Sequence, residues 1–350
     1  MGRHAPPTTG VPVMRRSIIA LMVALATGLS ACSTMSSETT VGQSPSISET
    51  PTAQAYGPPL PAGAVSEEPG EYPAKEVQTT NLLGSLRPNL QEPSELIPRI
   101  YLRGRVIIGV DQSQNLLSYR NSKTGELQGF EVDLAREISL DIFGDPDRVD
   151  FRFVESASRA EALENREVDM IIRTMTITRE RQEQLEFSTP YLSTDSRLLV
   201  APSSAIEGIE DLPGRTICVT DGSTSLEIAR SQAPQSSILR TRSWADCLVA
   251  LQQNQADAIL SDDAILSGIA AQDPYTEIVG DSLASSVYGI AMPQSDALYD
   301  STGLTRQVNS TIARIRNDGS WWQMYNTWFD SYLTTAGPPL AAYREEEEIS

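Results

Sequence analysis

The side chains able to do chemistry are few, and their types exclude much. The sequence holds three cysteines, Cys32, Cys218 and Cys247, and a single histidine, His4. Among 27 basic residues only Lys75 and Lys123 are lysines; all the others are arginines. His4 precedes the first apolar run, so the exported chain has no Ser-His-Asp triad, no Cys-His dyad and no His-ligated metal. Cys218 and Cys247 each sit in an apolar segment, Thr216-Ile217-Cys218-Val219 and Trp244 to Gln252. In an oxidising compartment they are expected to form a disulfide, contributing about 3 kcal/mol through loop closure.

That compartment is read from the first 32 residues. Met14-Arg15-Arg16 gives a basic start and Ile18 to Leu29 an apolar run. The run is too short to span a bilayer comfortably, since about 20 residues are needed. It ends in Leu29-Ser30-Ala31-Cys32, which looks like a lipobox. Residues 1–31 are thus expected to be a lipoprotein signal peptide and Cys32 the acylated first residue. The chain would be held at the extracytoplasmic face of the cell membrane by that lipid. Its net charge is −19, and loss of Arg3, Arg15 and Arg16 takes it to about −22. Such a chain is a poor general binder of nucleic acid, because phosphate neutralisation needs surplus Lys and Arg.

The elements that position a site begin near residue 101. Residues 32–100 read as the lipidated cysteine and a flexible tether, rich in Pro, Ser and Thr, with leucines scattered over 81–100. Arg105 to Val110 has the β-branched content of a strand, and Phe130 to Phe143 carries apolar residues at 130, 134, 138 and 142, one face of a helix. Strands near 149–154, 170–173, 198–200 and 216–219 alternate with helices near 159–165, 223–230, 244–252, 263–270, 302–316 and 319–330. Alternating strands and helices imply an α/β fold of mostly parallel sheets covered by helices. The chain divides into a first lobe over 101–201, a second over 202–287, a return to the first over 288–333, and an acidic tail over 334–350. Two crossings make a paired hinge, and ligands commonly sit in such clefts.

Five stretches carry a resemblance. They are Gly129-Phe130-Glu131-Val132-Asp133-Leu134, Val168 to Arg181, Phe187-Ser188-Thr189-Pro190-Tyr191, Asp221-Gly222-Ser223-Thr224-Ser225 and Ala256 to Asp262. In this order and spacing they resemble the extracellular solute-binding proteins of family 3, the polar amino-acid receptors of ABC importers. The branch most similar is the actinobacterial glutamate/aspartate/glutamine-type lipoproteins, which Trp244-Ala245-Asp246-Cys247 and Cys218 also fit. The resemblance implies a two-lobed periplasmic-binding-protein-like (type II) fold. It also implies roles for residues. Arg181 matches the family's carboxylate arginine, and a guanidinium is a fixed two-pronged donor. Thr224 opens a helix after a glycine turn, where amides and hydroxyl can hold the same carboxylate. Asp262 matches the ammonium-binding aspartate, with the Thr176 hydroxyl and Thr174 carbonyl completing that shell.

The side-chain end departs from the family members that bind basic amino acids. Where those often place two aromatic rings, this chain has Gln114 and Ser156. Arg159 and Arg173 flank the site segments instead, and Arg173, at the end of its strand, can face either the cleft or an internal salt bridge within the lobe. Three arginines suit a dicarboxylate amino acid, glutamate or aspartate, while an amide ligand needs one positive group fewer. Asp111 and Thr220 are further candidates at the cleft edge, and Asp111 would repel an acidic side chain. The expected function is therefore a monomeric, lipid-anchored receptor without cofactor or metal, presenting an amino acid to a membrane permease or a transmembrane signalling partner. The alternatives are a sensor acting only upstream of a serine/threonine kinase, and a lyase or dehydratase on the same fold. The absence of histidine and of a lysine near the motifs speaks against an enzyme.

Overall fold

The structure, a computed structural model, describes residues 57–297 and 299–346. The expected signal peptide over 1–31, Cys32, the start of the expected tether and residues 347–350 lie outside the described residues. No helix among the described residues is long and apolar enough to cross a membrane.

Two sheets build two lobes. The first lobe holds a five-stranded sheet in the order Val149–Phe153, Val106–Val110, Met170–Ile171, Ala291–Pro293, Leu185–Phe187. Its first three strands are parallel and the last two antiparallel. The second lobe holds a six-stranded sheet in the order Val65–Glu67, Ser237–Thr241, Thr216–Thr220, Ala258–Asp262, Leu192–Val200, Glu277–Tyr288. Its strands alternate in the manner of a sheet buried on both faces. Ile217 and Val219 face one apolar cluster and Cys218 the other; Leu198 and Val200 likewise oppose Leu199. Helix Phe130–Phe143 covers the first sheet with Phe130, Leu134 and Ile138, all fully buried. It stops at Gly144 in the left-handed conformation, the usual αL end of a helix.

Leu192–Val200 and Glu277–Tyr288 pair antiparallel and carry the chain between lobes. At their first-lobe end Tyr191 donates its N–H to the Tyr288 carbonyl, and Ile177 donates to Val287. The first crossing therefore lies at Thr189–Tyr191, and Leu192–Val200 belongs to the second sheet. This moves the first lobe boundary to about ten residues before 201. An apolar run tells that a strand exists, not which sheet receives it.

Two further segments differ from expectation. Residues 57–100 are not a flexible tether: Val65–Glu67 pairs antiparallel with Ser237–Thr241, and Ser85, buried, donates its hydroxyl to the Phe187 carbonyl at 2.6 Å. The tail is held as far as it is described. Ser85 bridges Tyr343 in parallel, and Glu346 takes an ion pair from Arg306 at 2.6 Å. Low hydrophobicity misled here because these segments are held largely by backbone hydrogen bonds and charge pairs, with only a few apolar side chains such as Ile97 and Ile100 joining the core.

Cys218 and Cys247 form a disulfide with Cα atoms 5.5 Å apart, fastening helix Trp244–Gln252 to strand Thr216–Thr220. Since it closes a 29-residue separation, replacing both cysteines by serine should cost about 3–4 kcal/mol. Calorimetry is expected to show the midpoint falling by roughly 10 °C. An unchanged midpoint would mean that packing alone holds this helix.

Candidate functional site

The site forms where the lobes face each other. Strand Met170–Ile171 ends in a turn that carries Thr174 at φ 41°, a left-handed conformation unusual for threonine. Glu131, from the start of helix Phe130–Phe143, holds that turn. Its Oε1 accepts from the Thr174 N–H at 2.6 Å and from the Tyr191 hydroxyl. The backbone then passes through Thr176 to Thr178, whose hydroxyl caps the short helix Arg179–Gln182 by accepting from the Arg181 N–H. Every part of this path fixes where the Arg181 side chain starts.

From the first lobe Ser156, Arg159, Thr174, Thr176 and Arg181 converge on one cavity. The second lobe supplies Thr224, Ser225, Trp244 and Asp262. Thr224 is the first residue of helix Thr224–Gln232, and Asp262 ends strand Ala258–Asp262 at the entrance to helix Asp263–Ala270. The space between these groups is only ≈ 10 Å³, so the lobes touch and an amino acid enters only when they part.

The charges are the informative part. Asp262 is 4% exposed and has no cation bonded to it; Oδ1 accepts from the Ser196 hydroxyl at 2.8 Å and Oδ2 from the Tyr288 hydroxyl at 2.6 Å. Burial raises its pKa above the ordinary 3.8, and these two hydroxyls oppose the rise only in part. Arg181 donates to the carbonyls of Thr176 at 2.8 Å and Gly222 at 3.1 Å, and burial lowers its pKa to about 10. Arg159 is buried and donates to four carbonyls: Ser156, Arg173, Thr174 and Gly222. Its pKa is well below the ordinary value, first from burial and then from repulsion by Arg181 and Arg173. A guanidinium has five N–H groups. Arg181 therefore keeps three of them, and Arg159 one, without a partner among the described residues. One buried guanidinium, Arg159, and one half-buried guanidinium, Arg181, face one buried carboxylate, a cavity with one positive charge in excess.

The structure thus brings together Arg159, Thr174, Thr176, Arg181, Thr224 and Asp262. It separates Arg173, Asp111 and Thr220 from them. Arg173 and Asp111 are both fully buried and form an ion pair inside the first lobe, with Ser156 as a second acceptor for Arg173. The reading of Arg173 as a cleft charge is corrected: a buried guanidinium with a carboxylate partner at hand pairs with it rather than facing a cavity. Asp111 is corrected for the same reason, and its predicted repulsion of an acidic ligand disappears because Arg173 neutralises it. Thr220 is buried in strand Thr216–Thr220, behind the turn that presents Thr224.

Several participants escaped the sequence reading. Trp244 was legible as a helix residue and as part of the stretch that fits the family branch, not as a wall of the cavity that it lines. Ser196 and Tyr288 reach Asp262 through strand pairing across 66 and 26 residues, which no local pattern reports. Two glycines make closure possible. A Cβ on Gly222, at φ 72°, would stand 2.7 Å from the Ala157 Cα of the opposite lobe. One on Gly268, in helix Asp263–Ala270, would stand 2.2 Å from the Asn115 carbonyl oxygen.

The chain matches the bacterial extracellular solute-binding proteins, family 3, over residues 106–331. It is 32% identical over 225 residues to the ABC transporter glutamine-binding protein GlnH of Bacillus subtilis, covering 64% of this chain and 81% of that one. It is 31% identical over 250 residues to the glutamate-binding protein GluB of Corynebacterium efficiens, covering 67% and 83%. Among solved structures, the solute receptor for L-cysteine of Neisseria gonorrhoeae superposes with a TM-score of 0.63 at 26% identity, over 71% of this chain and 99% of that one. An ancestral amino acid-binding protein that is a precursor of cyclohexadienyl dehydratase superposes at 0.60 with 25% identity, over 67% and 100%. The relatives matched are named as binding proteins rather than enzymes.

Gly268→Ala should separate folding from closure. Alanine favours a helix over glycine by about 1 kcal/mol, so the free protein should melt no lower. The clash with Asn115 arises only when the lobes meet, and overpacking of about 1–3 kcal/mol should weaken a cleft ligand by roughly 5- to 150-fold. Calorimetric titration beside a melting curve reads both; undiminished affinity would place closure elsewhere.

Proposed function

The chain belongs to the bacterial extracellular solute-binding proteins, family 3, and from that premise we propose that it is a receptor for an acidic amino acid, glutamate or aspartate. The observation that carries this reading is the charge of the cavity: two guanidiniums, Arg159 buried and Arg181 half-buried, against the single carboxylate of Asp262. A zwitterion with a second carboxylate brings one negative charge in excess and neutralises the set. Arg181 has free donors for the α-carboxylate, assisted by the Thr224 N–H and hydroxyl at the start of its helix. Asp262 and Thr176 take the ammonium. Arg159, with one N–H to spare, supplies charge and a single hydrogen bond to the far end of the side chain. The ligand takes the N–H groups that both arginines have free beside their bonds to the Gly222 carbonyl. Because it touches both lobes, it stabilises the closed form over the open one.

A second reading keeps the receptor and changes the side chain. One spare donor on Arg159 serves an amide oxygen as well as a carboxylate, and the Bacillus subtilis relative is named for glutamine. In either case the protein is proposed to act as a monomer anchored through Cys32 at the outer face of the cell membrane. It would pass its ligand to an ABC permease, or report it to a transmembrane partner such as one upstream of a serine/threonine kinase.

A thermal-shift panel of amino acids decides the ligand class. At 100 times its dissociation constant the right one stabilises the fold by about 2.7 kcal/mol. Glutamate or aspartate is expected to do so and arginine is not. Arg159→Met should then weaken glutamate about tenfold more than glutamine, since only the former loses a charge pair of about 1.4 kcal/mol. Equal losses would favour the amide reading, and no shift with any amino acid would defeat both.

The raised pKa of Asp262 gives a signed pH dependence. A bound ammonium favours the carboxylate and so lowers that pKa. Affinity is complete above the raised value of the free protein and falls as pH drops through it. Titrations with glutamine, whose side chain does not ionise, are expected to weaken toward acid pH. Asp262→Asn should remove that dependence and cost at least about 2 kcal/mol of binding. A pH profile unchanged by the substitution would take Asp262 out of the site.

A further inference from the structure

The ordered segment before the first lobe is attached to both lobes and crosses the mouth of the cleft. Its beginning belongs to the second lobe. Val65–Glu67 adds an edge strand to the six-stranded sheet, in the register Val65 to Arg240 and Glu67 to Ile238. Glu67 is 2% exposed and forms ion pairs with Arg230 at 2.6 Å and Arg240 at 3.0 Å. Arg230 also lies over the Tyr72 ring, 5.2 Å from its centre. The end of the segment belongs to the first lobe. Asn309 donates to the Ser85 hydroxyl at 2.7 Å and to the Leu86 carbonyl at 2.6 Å, both in buried surroundings.

Between these anchors the chain has neither helix nor strand, and it is held alternately by one lobe and the other. Lys75 donates its N–H to Glu227 Oε2 at 2.6 Å, on helix Thr224–Gln232. The Thr79 hydroxyl donates to the Ser285 carbonyl at 3.3 Å, also in the second lobe. The Gln78 carbonyl accepts from the Arg179 N–H at 3.0 Å, and the Leu83 N–H donates to Gln182 Oε1 at 2.9 Å, both in the first lobe. Two cavities adjoin the closed site on this side. One of ≈ 280 Å³ is walled by Lys75, Val77 and Thr79 together with Thr176 and Thr224. The other, of ≈ 380 Å³, sets Lys75 and Val77 opposite Arg181 and Gly222.

We propose that Lys75–Thr79 is a third wall of the ligand cleft, fastened to both lobes, and that it sets how fast the amino acid enters and leaves. The inference rests on the receptor reading above. Parting the lobes strains a segment bound to each, so opening must first release the weaker attachments between residues 75 and 83. The anchors at Glu67 and Ser85, buried and multiply bonded, stay in place. Exchange then carries the free energy of peeling the wall as well as that of moving the hinge, in both directions, so the two rates change together.

The test uses the double substitution Arg179→Pro and Thr79→Ala in the full chain. Proline removes the N–H that Gln78 accepts. Arg179 is the first residue of its helix and Thr178 before it is extended, so proline fits without disturbing the helix. Neither residue lies in the proposed ligand shell. Stopped-flow fluorescence with glutamate and with glutamine, read through Trp244 in the cavity, is expected to show association and dissociation each about tenfold faster, equivalent to about 1.4 kcal/mol of lost attachment. The equilibrium constant should move by less than about threefold, because a wall that gates contributes to both directions. On the unmodified chain, hydrogen exchange at the Lys75 and Arg179 amides should slow when ligand saturates. Unchanged rates in the double variant overturn the proposal, and so does unchanged exchange at both amides, while binding itself persists. If neither amino acid binds the unmodified chain, the receptor reading has failed and the wall falls with it.

Discussion

One carbonyl oxygen carries the meeting of the lobes. Gly222 O accepts from Arg159 and from Arg181, each at 3.1 Å, and so ties two first-lobe cations to the second lobe. The arrangement depends on a residue without a side chain at φ 72°, pressed against Ala157. It depends also on the lobes being short of negative charge at this point. Buried guanidiniums without carboxylates are costly, and backbone carbonyls are the neutral acceptors that make the cost tolerable. Neutral acceptors satisfy hydrogen bonds but leave the charge, which is why the pKa values of both arginines stay depressed. A ligand that brings its own carboxylates offers both. The closed geometry and the proposed preference for an anionic ligand are thus two consequences of the same imbalance.

Most of the scaffold was legible because it is periodic. The apolar stripe at 130, 134, 138 and 142 became helix Phe130–Phe143, and the β-branched runs became the central strands. The motif residues Thr224, Asp262 and Arg181 were nominated through the family resemblance, and the structure places them at a helix start, a strand end and in a short capped helix around one cavity. What failed was orientation. Arg173 follows Ile172 at the end of a strand, and nothing local tells whether its side chain turns to the cleft or to Asp111, which lies 62 residues earlier. Ser196 and Tyr288 were invisible for a related reason. Their role exists only once the register of three antiparallel strands is set, and that register is decided by the whole sheet.

The internal Arg173–Asp111 pair serves the site without touching it. Arg173 offers its carbonyl to Arg159, and the next residue, Thr174, is pinned by Glu131 in a conformation threonine rarely adopts. Local backbone strain of this kind costs about 1–3 kcal/mol and persists only where surrounding contacts over-determine it. Here the contacts are a buried carboxylate, a tyrosine hydroxyl and an ion pair, all in the first lobe. That lobe therefore presents its half of the cavity ready-made, whereas the donors to Asp262 come from the crossing strands themselves, Ser196 on one and Tyr288 on the other. The carboxylate is in this way built into the hinge.

Placement of that carboxylate reconciles an acidic protein with the acidic ligand proposed for it. A net charge of −19 repels an anion at long range, and salt shortens that range to about 8 Å under physiological conditions. Within the cleft the sign reverses, because two guanidiniums, Arg159 buried and Arg181 half-buried, are screened less than surface charges, while the single carboxylate is buried beside them and shares its charge with two hydroxyls. The anion therefore gains its attraction only after it has passed the mouth. Such a field gives selectivity without steering, and it leaves the approach to whatever borders the mouth. In this chain the border is the segment from Lys75 to Thr79, which carries one of only two lysines in the sequence.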